Sequence, residues 1–323
     1  MKYRLLGRTG LFVSEICFGT MTFGGRGFWT AIGTLDQAAV TALIKKALDS
    51  GINFYDTANV YSEGEAERLF GQALKDLGVP RSEVVIATKA RGRMGPGPNA
   101  VGLSRGHLMD AVDDSLRRLG VDHIDLYQIH GWDPVVPLDE TLRALDDLVH
   151  SGKVRYIGCS TLSAWQVVEA QWTATHFGLQ RFVSCQERYN LLEREIDEEL
   201  MPVIQSYGLG LIPFAPLASG LLTGKYRREV PLPAGARLAT TPRQAERYLT
   251  EANWAVVERL EAFCAARGRS LLRLAIGWLL QRPAVASVIA GATTPEQVAA
   301  NVRAAEWVLS REDMDEIDRI TAK

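Results

Sequence analysis

The sequence predicts a (β/α)8 TIM barrel with an N-terminal hairpin before it and an extra C-terminal helix after it. Apolar runs of strand length alternate with helical patterns along the whole chain, the mark of repeated βα units and a parallel sheet. The count of such units is eight, and short polar connectors with right-handed crossovers close that number most simply into a barrel. No glycine-rich turn follows the first strand, which weighs against the alternative, a doubly wound open sheet.

The elements read in order. Tyr3–Leu6 and about Leu11–Val13 form the hairpin candidate. The barrel strands are Glu15–Phe18, Asn53–Tyr55, Val84–Thr88, Ile124–Ile129, Val154–Gly158, Val183–Gln186, Gly210–Phe214 and Ser287–Ile289. Helical patterns follow, among them Gln37–Ser50, Ala66–Leu77, Ser104–Leu119 and Leu138–His150. Ser104, Ser163 and Ser270 stand where N-caps belong, and Gly51, Gly78, Gly120 and Gly152 where the chain leaves a helix. Glu306–Ile320 reads as the extra helix, placed to cross the barrel or to cover its mouth. Three stretches break the regularity: Thr20–Gly33, Arg91–Leu103 and the long polar connection Tyr226–Ala252. Each follows a strand, so each falls at the C-terminal mouth, where long loops are either functional or solvated insertions.

Composition narrows the class. At 47% hydrophobic and 23% charged, the 323 residues suit one globular domain spanning 1–323, because barrels often exceed the usual domain size. A net charge of −2 and a pI near 6.3 argue against nucleic acid or an anionic membrane surface as partner. The first residues lack the apolar run of a signal peptide, and no apolar stretch is long enough to span a bilayer. Cys17, Cys159, Cys185 and Cys264 form no Cys-x-x-Cys pair, and the first three lie in apolar runs as small core residues. A reducing, cytoplasmic location is expected, with no metal site.

The chemistry gathers at strand ends. Asp56 and Tyr61 close or follow the second strand, Lys89 the third and His130 the fourth. In a parallel barrel those ends converge on one mouth. A phenol is a poor acid near pH 7, since free Tyr sits near 10. A buried ammonium beside it favours the phenolate, and a carboxylate holds that ammonium in place. Tyr61 is then the proton donor to a carbonyl oxygen, Lys89 its modulator and Asp56 the lysine's partner, with His130 orienting the carbonyl. Singly, each has a plainer reading: a loop aromatic for Tyr61, a turn cap for Asp56, a core histidine for His130. Lys89 resists one, and the joint occurrence on consecutive strands favours function.

Longer motifs sharpen the reading. Asp56-Thr-Ala-Asn-Val-Tyr61-Ser-Glu-Gly-Glu65 and Asp114-Ser-Leu-Arg-Arg-Leu-Gly-Val-Asp-His-Ile-Asp-Leu-Tyr-Gln-Ile-His130 resemble signatures of the aldo-keto reductase family. Gly152-Lys-Val-Arg-Tyr-Ile-Gly158 and Phe214-Ala-Pro-Leu-Ala-Ser-Gly-Leu-Leu-Thr-Gly-Lys225 match its fifth strand and the loop after its seventh. The resemblance runs nearly end to end. It implies reversible reduction of aldehydes or ketones to alcohols with NADPH/NADP+, NADH being possible.

The resemblance also implies a cofactor site. Ser160 and Gln186 would hold the carboxamide and Phe214 would stack on the nicotinamide, with Gly19, Thr20, Met21 and Asp56 at the same end. Ala215, Pro216, Leu217, Ser219, Gly220, Leu221 and Lys225 would wrap the pyrophosphate. Gly291, Thr293, Gln297 and Asn301 would meet the adenosine end. Two departures stand out. Ser160 is followed by Thr161 where many members have Asn, and the segment Gly291–Thr294 has no Lys or Arg for a 2′-phosphate. A helix starting near Pro295, or Arg303, Arg227, Arg237 or Arg243 from outside, would have to supply the positive charge.

Phe23, Phe28, Trp29 and Trp132, with Tyr61 and Met21, would line an aromatic substrate pocket for a small-molecule carbonyl or alcohol. Arg91 and Arg93 would instead greet an anionic group. Two other functions compete: a cofactor-sensing regulatory subunit of the same fold, and a barrel glycoside hydrolase using Asp56 and Glu187. The hydrolase leaves Lys89 and Phe214 without a role.

Overall fold

An antiparallel hairpin of β1 (Tyr3–Leu5) and β2 (Phe12–Ser14) opens the chain in the computed structural model, which describes residues 1–322. Lys323, the last residue of the expected domain, lies outside the described residues. Eight parallel strands follow: β3 (Ile16–Gly19), β4 (Phe54–Asp56), β5 (Val85–Ala90), β6 (Ile124–Ile129), β7 (Val154–Ser160), β8 (Ser184–Gln186), β9 (Gly210–Leu211) and β10 (Val288–Gly291). Each strand from β3 to β8 pairs with the next, and β10 pairs with β3. The circle closes because Leu211 N–H donates to Ala284 O at 2.7 Å and Ile289 N–H to Pro213 O at 3.0 Å. The expected (β/α)8 barrel is what forms.

Helices α1 (Gln37–Asp49), α2 (Glu65–Asp76), α3 (Arg105–Leu119), α4 (Leu138–His150), α5 (Ala164–Phe177) and α6 (Leu200–Tyr207) cover the outside of the first strands. Ser104 and Ser270 cap as the sequence predicts, accepting from His107 N–H and Arg273 N–H at 3.4 Å each, and Ser163 forms a capping box with Gln166. The second half adds α7 (Arg237–Thr240), α8 (Pro242–Tyr248), α9 (Glu251–Ala265), α10 (Leu271–Leu280), α11 (Pro295–Ala304) and α12 (Arg311–Thr321). Among the described residues no helix is long and apolar enough to cross a membrane.

Two apolar clusters follow from the strand alternation. Outward residues such as Phe18, Tyr55, Ile86, Tyr127 and Ile157 pack under the helices. Inward ones (Cys17, Phe54, Val85, Ala87, Leu126 and Ile212) fill the barrel, joined by Leu6 and Val13 from the hairpin. The hairpin thus plugs the end at which the strands begin, leaving only the opposite mouth for chemistry. Fully burying one side chain of this size contributes ~1.5–3 kcal/mol, so the plug is a structural feature in its own right.

Most strands are shifted by one or two residues at their ends, and three elements differ from the sequence reading by more. The seventh barrel strand, expected to reach Phe214, is regular only to Leu211, because Pro213 has no N–H for the ladder; Ile212 and Phe214 still donate to Cys185 O and Glu187 O at 2.9 and 2.8 Å. The connection Tyr226–Ala252 contains α7 and α8, and Thr250 caps α9 two residues before the segment's end. The tail helix starts at Arg311, where Ser310 and Asp313 form a capping box. It pairs with the flank, through Arg267 to Asp313 and Glu316 at 2.8 Å each and Arg194 to Asp318 at 2.7 Å. It does not cover the mouth.

Candidate active site

Alternation places the polar layer directly above the apolar filling. Lys89, two residues beyond inward Ala87, points into the barrel and is fully buried. Its Nζ donates to Asp56 Oδ1 at 2.6 Å and to Thr57 O at 2.7 Å, and stands 3.5 Å from Tyr61 OH. Asp56 Oδ2 accepts from Gln186 Nε2 at 2.8 Å and Gln128 Nε2 at 3.3 Å. Tyr61 rests edge-on between Trp29 and His130, with ring centroids 5.0 and 5.9 Å away. The four residues that the sequence singled out therefore meet at one point.

Electrostatics modifies the expected roles. The Tyr61 phenol lies above its ordinary value: burial raises it, and the opposing Lys89 charge does not fully offset that. The sequence reading had the ammonium bring the phenol down; instead Tyr61 keeps its proton and Lys89 stands ready for the phenolate. Burial alone would lower Lys89, but the charges of Asp56 and Tyr61 and their hydrogen bonds hold it above the ordinary lysine value. His130 is pushed down to about 3, by burial first and then by the charges of Lys89 and Arg91. It is a neutral imidazole rather than a cation. Its NMR resonances should not titrate between about pH 5 and 8, and an inflection near 6.5 lost in His130→Gln would contradict this. Since the unfolded chain takes up that proton near pH 6.5 and the folded site only near 3, His130's contribution to stability falls as pH drops through that window.

The loop carrying Tyr61 is strained. Ser62 and Glu63 have φ of 49° and 59°, where non-glycine residues cost roughly 1–3 kcal/mol each. Ser62 compensates, accepting from Gly25 N–H at 2.9 Å and donating to Phe23 O at 2.7 Å. One hydroxyl thus ties the Thr20–Gly33 loop to the Tyr61 loop.

The residues that the resemblance assigns to a dinucleotide lie on the neighbouring strand ends. Thr20 Oγ1 is buried without a partner beside Gly19, and half-buried Met21 follows. Ser160 Oγ lies 3.2 Å from Thr161 Oγ1, and Gln186 commits its amide nitrogen to Asp56. Thr161 has φ 57°, a conformation that Asn tolerates and a β-branched residue resists. Phe214, three residues past the seventh strand, is half-buried, with the Arg188 guanidinium 5.1 Å from its ring centre. Beyond Pro216 and Leu217, Ala218, Ser219 and Gly220 take left-handed φ in succession, a tight turn in which Ala218 N–H donates to Ala215 O at 3.1 Å and Gly220 N–H to Leu217 O at 2.7 Å. A methyl at Gly220 would lie 3.0 Å from Lys225 Nζ, so the lysine folds over this turn, while Leu221 is core.

Of the outside arginines, Arg237 is the one that comes close. Burial first, and then the Arg237 charge, lowers Lys225, and burial lowers Arg237 itself. Arg237 donates only to Ile32 O, at 3.2 Å, whereas Arg227 is paired with Glu261. Among the described residues neither Lys225 nor Arg237 is paired with a carboxylate.

The adenosine end is less welcoming. Thr294 caps α11 with Pro295 in its first turn, as expected, but Thr293 N–H donates to Gln297 Oε1 at 2.8 Å. Glu296 is held below the ordinary carboxylate range by its own backbone N–H and the Thr294 hydroxyl. Gly291 is exposed and Asn301 buried. A carboxylate and an amide oxygen already face this helix start.

The expected substrate pocket is corrected at one position. Phe23 is fully buried in the helix–sheet core against Phe18, 5.8 Å between ring centres, because the bridge to Leu35 turns it inward. Trp29 meets Tyr61 as above, exposed Phe28 packs edge-on to Trp29 at 5.5 Å, and half-buried Trp132 meets Trp165 at 5.5 Å. The sequence reading missed a second polar centre. Buried Glu193 accepts from Asn190 Nδ2 at 2.8 Å, Tyr248 OH at 2.7 Å and Arg247 Nε at 2.7 Å, and Asn190 also donates to Ala215 O at 3.0 Å. It locks the turn after Phe214 to α8. The signal was there: a charged run, Glu187-Arg-Tyr-Asn-Leu-Leu-Glu193, directly after a strand end. Gln128 was likewise legible as a polar residue at an inward register.

The hydrolase pair does not assemble. Asp56 is enclosed by Lys89, Gln186 and Gln128, and Glu187, raised to about 7 by burial, accepts from Leu162 N–H at 2.9 Å.

The model of the Aldo/keto reductase family matches residues 15–322. A probable voltage-gated potassium channel subunit beta of Oryza sativa is 38% identical, covering 99% of this chain and 96% of its own length. A putative aryl-alcohol dehydrogenase of Schizosaccharomyces pombe is 37% identical over 97% of this chain and 93% of its own. Versiconal hemiacetal acetate reductase of Aspergillus parasiticus is 34% identical over 98% and 96%.

Proposed function

The chain belongs to the aldo/keto reductase family, and on that premise we propose that it reduces aldehydes or ketones to alcohols, reversibly, with Tyr61 as proton donor. The observation that carries this is Lys89 Nζ, fully buried, held at 2.6 Å from Asp56 Oδ1 and 3.5 Å from Tyr61 OH. Members of the family generally use a nicotinamide dinucleotide, which supplies the hydride when bound. Tyr61 gives its proton to the carbonyl oxygen, Lys89 stabilises the phenolate left behind, and neutral His130 orients the carbonyl. Asp56 holds Lys89 still, and Trp29 and Trp132 exclude water from the reacting oxygen. Ser160, Gln186 and Phe214 suit the nicotinamide end, and the turn at Ala218–Gly220 with Lys225 and Arg237 suits the pyrophosphate. The unit is the whole chain, 1–323, acting in the cytoplasm on a small molecule.

An NADPH oxidation assay against aromatic and aliphatic carbonyls, run with a fluorescence titration of NADPH, tests the reading. Binding with turnover supports the reductase. Binding with negligible turnover would favour the second reading, a cofactor-sensing subunit, which draws on the channel-subunit relatives.

The cofactor is NADPH, with a weak preference over NADH. The segment Gly291–Thr294 has no basic residue, and Glu296 adds a negative charge at the helix start. A charge-assisted hydrogen bond contributes ~1.5–3 kcal/mol, so lacking one leaves a discrimination roughly ten- to hundredfold smaller than a basic residue here would give. The ratio of kcat/KM for the two cofactors on one substrate measures it, and Thr293→Arg should increase it. A wild-type preference above about a thousandfold would mean that another cation, Arg237 first, clamps the 2′-phosphate.

A further inference from the structure

Arg91 is the first residue past β5 and His130 the first past β6. Ala90 pairs with Ile129, and His130 N–H donates to Ala90 O at 2.9 Å, so the two residues stand side by side. Alternation gives Arg91 the same face as Lys89, and His130 the same face as Gln128. Arg91 thus stands one layer outward of buried Lys89, between it and solvent and beside His130. The packing agrees: a methyl built on Gly131 would lie 3.5 Å from Arg91 Nη1, and the Arg91 charge helps to lower His130.

Among the described residues the Arg91 side chain makes no hydrogen bond or ion pair. Its neighbour Arg93 is folded onto its own loop, donating to Gly95 O at 3.0 Å and Gly97 O at 2.7 Å. The nearby acid Asp133 is committed to Leu103 N–H at 2.8 Å and Val135 N–H at 3.0 Å. Arginine stays charged at any working pH, and its planar fork matches a carboxylate with two parallel hydrogen bonds. An unpaired fork one layer above the proton donor, beside an aromatic mouth, is set to receive an anion attached to the substrate.

We infer that the substrate carries a carboxylate held by Arg91, on an aromatic or apolar body beside Trp29 and Trp132. This rests on the proposed reduction at Tyr61 and narrows its substrate class to carboxylate-bearing carbonyl compounds. The test compares benzaldehyde with ortho-, meta- and para-formylbenzoate in the wild type, Arg91→Met and Arg91→Lys. Wild-type kcat/KM should favour at least one formylbenzoate over benzaldehyde by roughly ten- to hundredfold, the scale of a charge-assisted hydrogen bond. That ratio should collapse in Arg91→Met and survive in part in Arg91→Lys. A ratio near unity in the wild type, or one unchanged in Arg91→Met, overturns the inference. Tryptophan fluorescence with the same aldehydes separates the two readings. Formylbenzoate binding that depends on Arg91 without turnover would sustain the carboxylate site and refute the reductase. Neither turnover nor Arg91-dependent binding would refute the carboxylate site as well.

Discussion

Tyr61→Phe should fold, bind the dinucleotide and reduce carbonyls at least ~10²-fold more slowly, the usual scale for losing a general acid. The ring that packs against Trp29 and His130 remains, so the mouth keeps its shape. Lys89 loses a contact at 3.5 Å but keeps Asp56 and Thr57 O at 2.6 and 2.7 Å, so the buried charge stays paired. What disappears is the proton, needed only as charge develops on the carbonyl oxygen. The loss should therefore fall on kcat, with KM little changed. Burial holds the wild-type phenol above its ordinary value, so reduction should decline only above about pH 10, where Tyr61 begins to ionise. Steady-state kinetics across pH in both variants checks this; wild-type-like turnover in Tyr61→Phe would remove Tyr61 from the mechanism.

Lys89→Met should damage rate and stability together, by separate routes. The rate falls by ~10²-fold or more, because the phenolate formed at Tyr61 loses the cation beside it. Stability falls by about 3 kcal/mol, since breaking a buried ion pair strands Asp56 with only the Gln186 and Gln128 amides. Lys89 lies above its ordinary value in the fold, so its contribution is complete below the unfolded value near 10.4 and is lost as pH rises past the folded one. The stability gap between wild type and variant should thus be flat from about pH 6 to 9 and narrow only above about 10.4. Adding Asp56→Asn should restore most of the stability and none of the rate, because removing both partners leaves no stranded charge. Urea unfolding and single-turnover rates separate the two. If Lys89→Met keeps normal activity, or if the double variant recovers it, Lys89 does not act on the phenol.

The sequence by itself determined the barrel and the tetrad, because both are written in short-range patterns. Strand and helix periods repeat locally, and Asp56, Lys89 and His130 each sit at an inward register near a strand's C-terminal end, which a parallel barrel must bring to one mouth. Caps at Ser104, Ser163 and Ser270 were legible for the same reason, since each depends on residues three positions apart. Tertiary structure alone decided what depends on dielectric and on long-range contact. The balance that leaves Tyr61 raised and His130 near 3 is a contest between burial and neighbouring charge, and no window of sequence holds both terms. Likewise, aromatic character marked Phe23 for the mouth, but its bridge to Leu35 took it into the core. Arg91, Arg93 and Arg237 look alike in the sequence. Only the fold gives Arg93 two carbonyls, sets Arg237 beside Lys225, and leaves Arg91 unpaired next to His130.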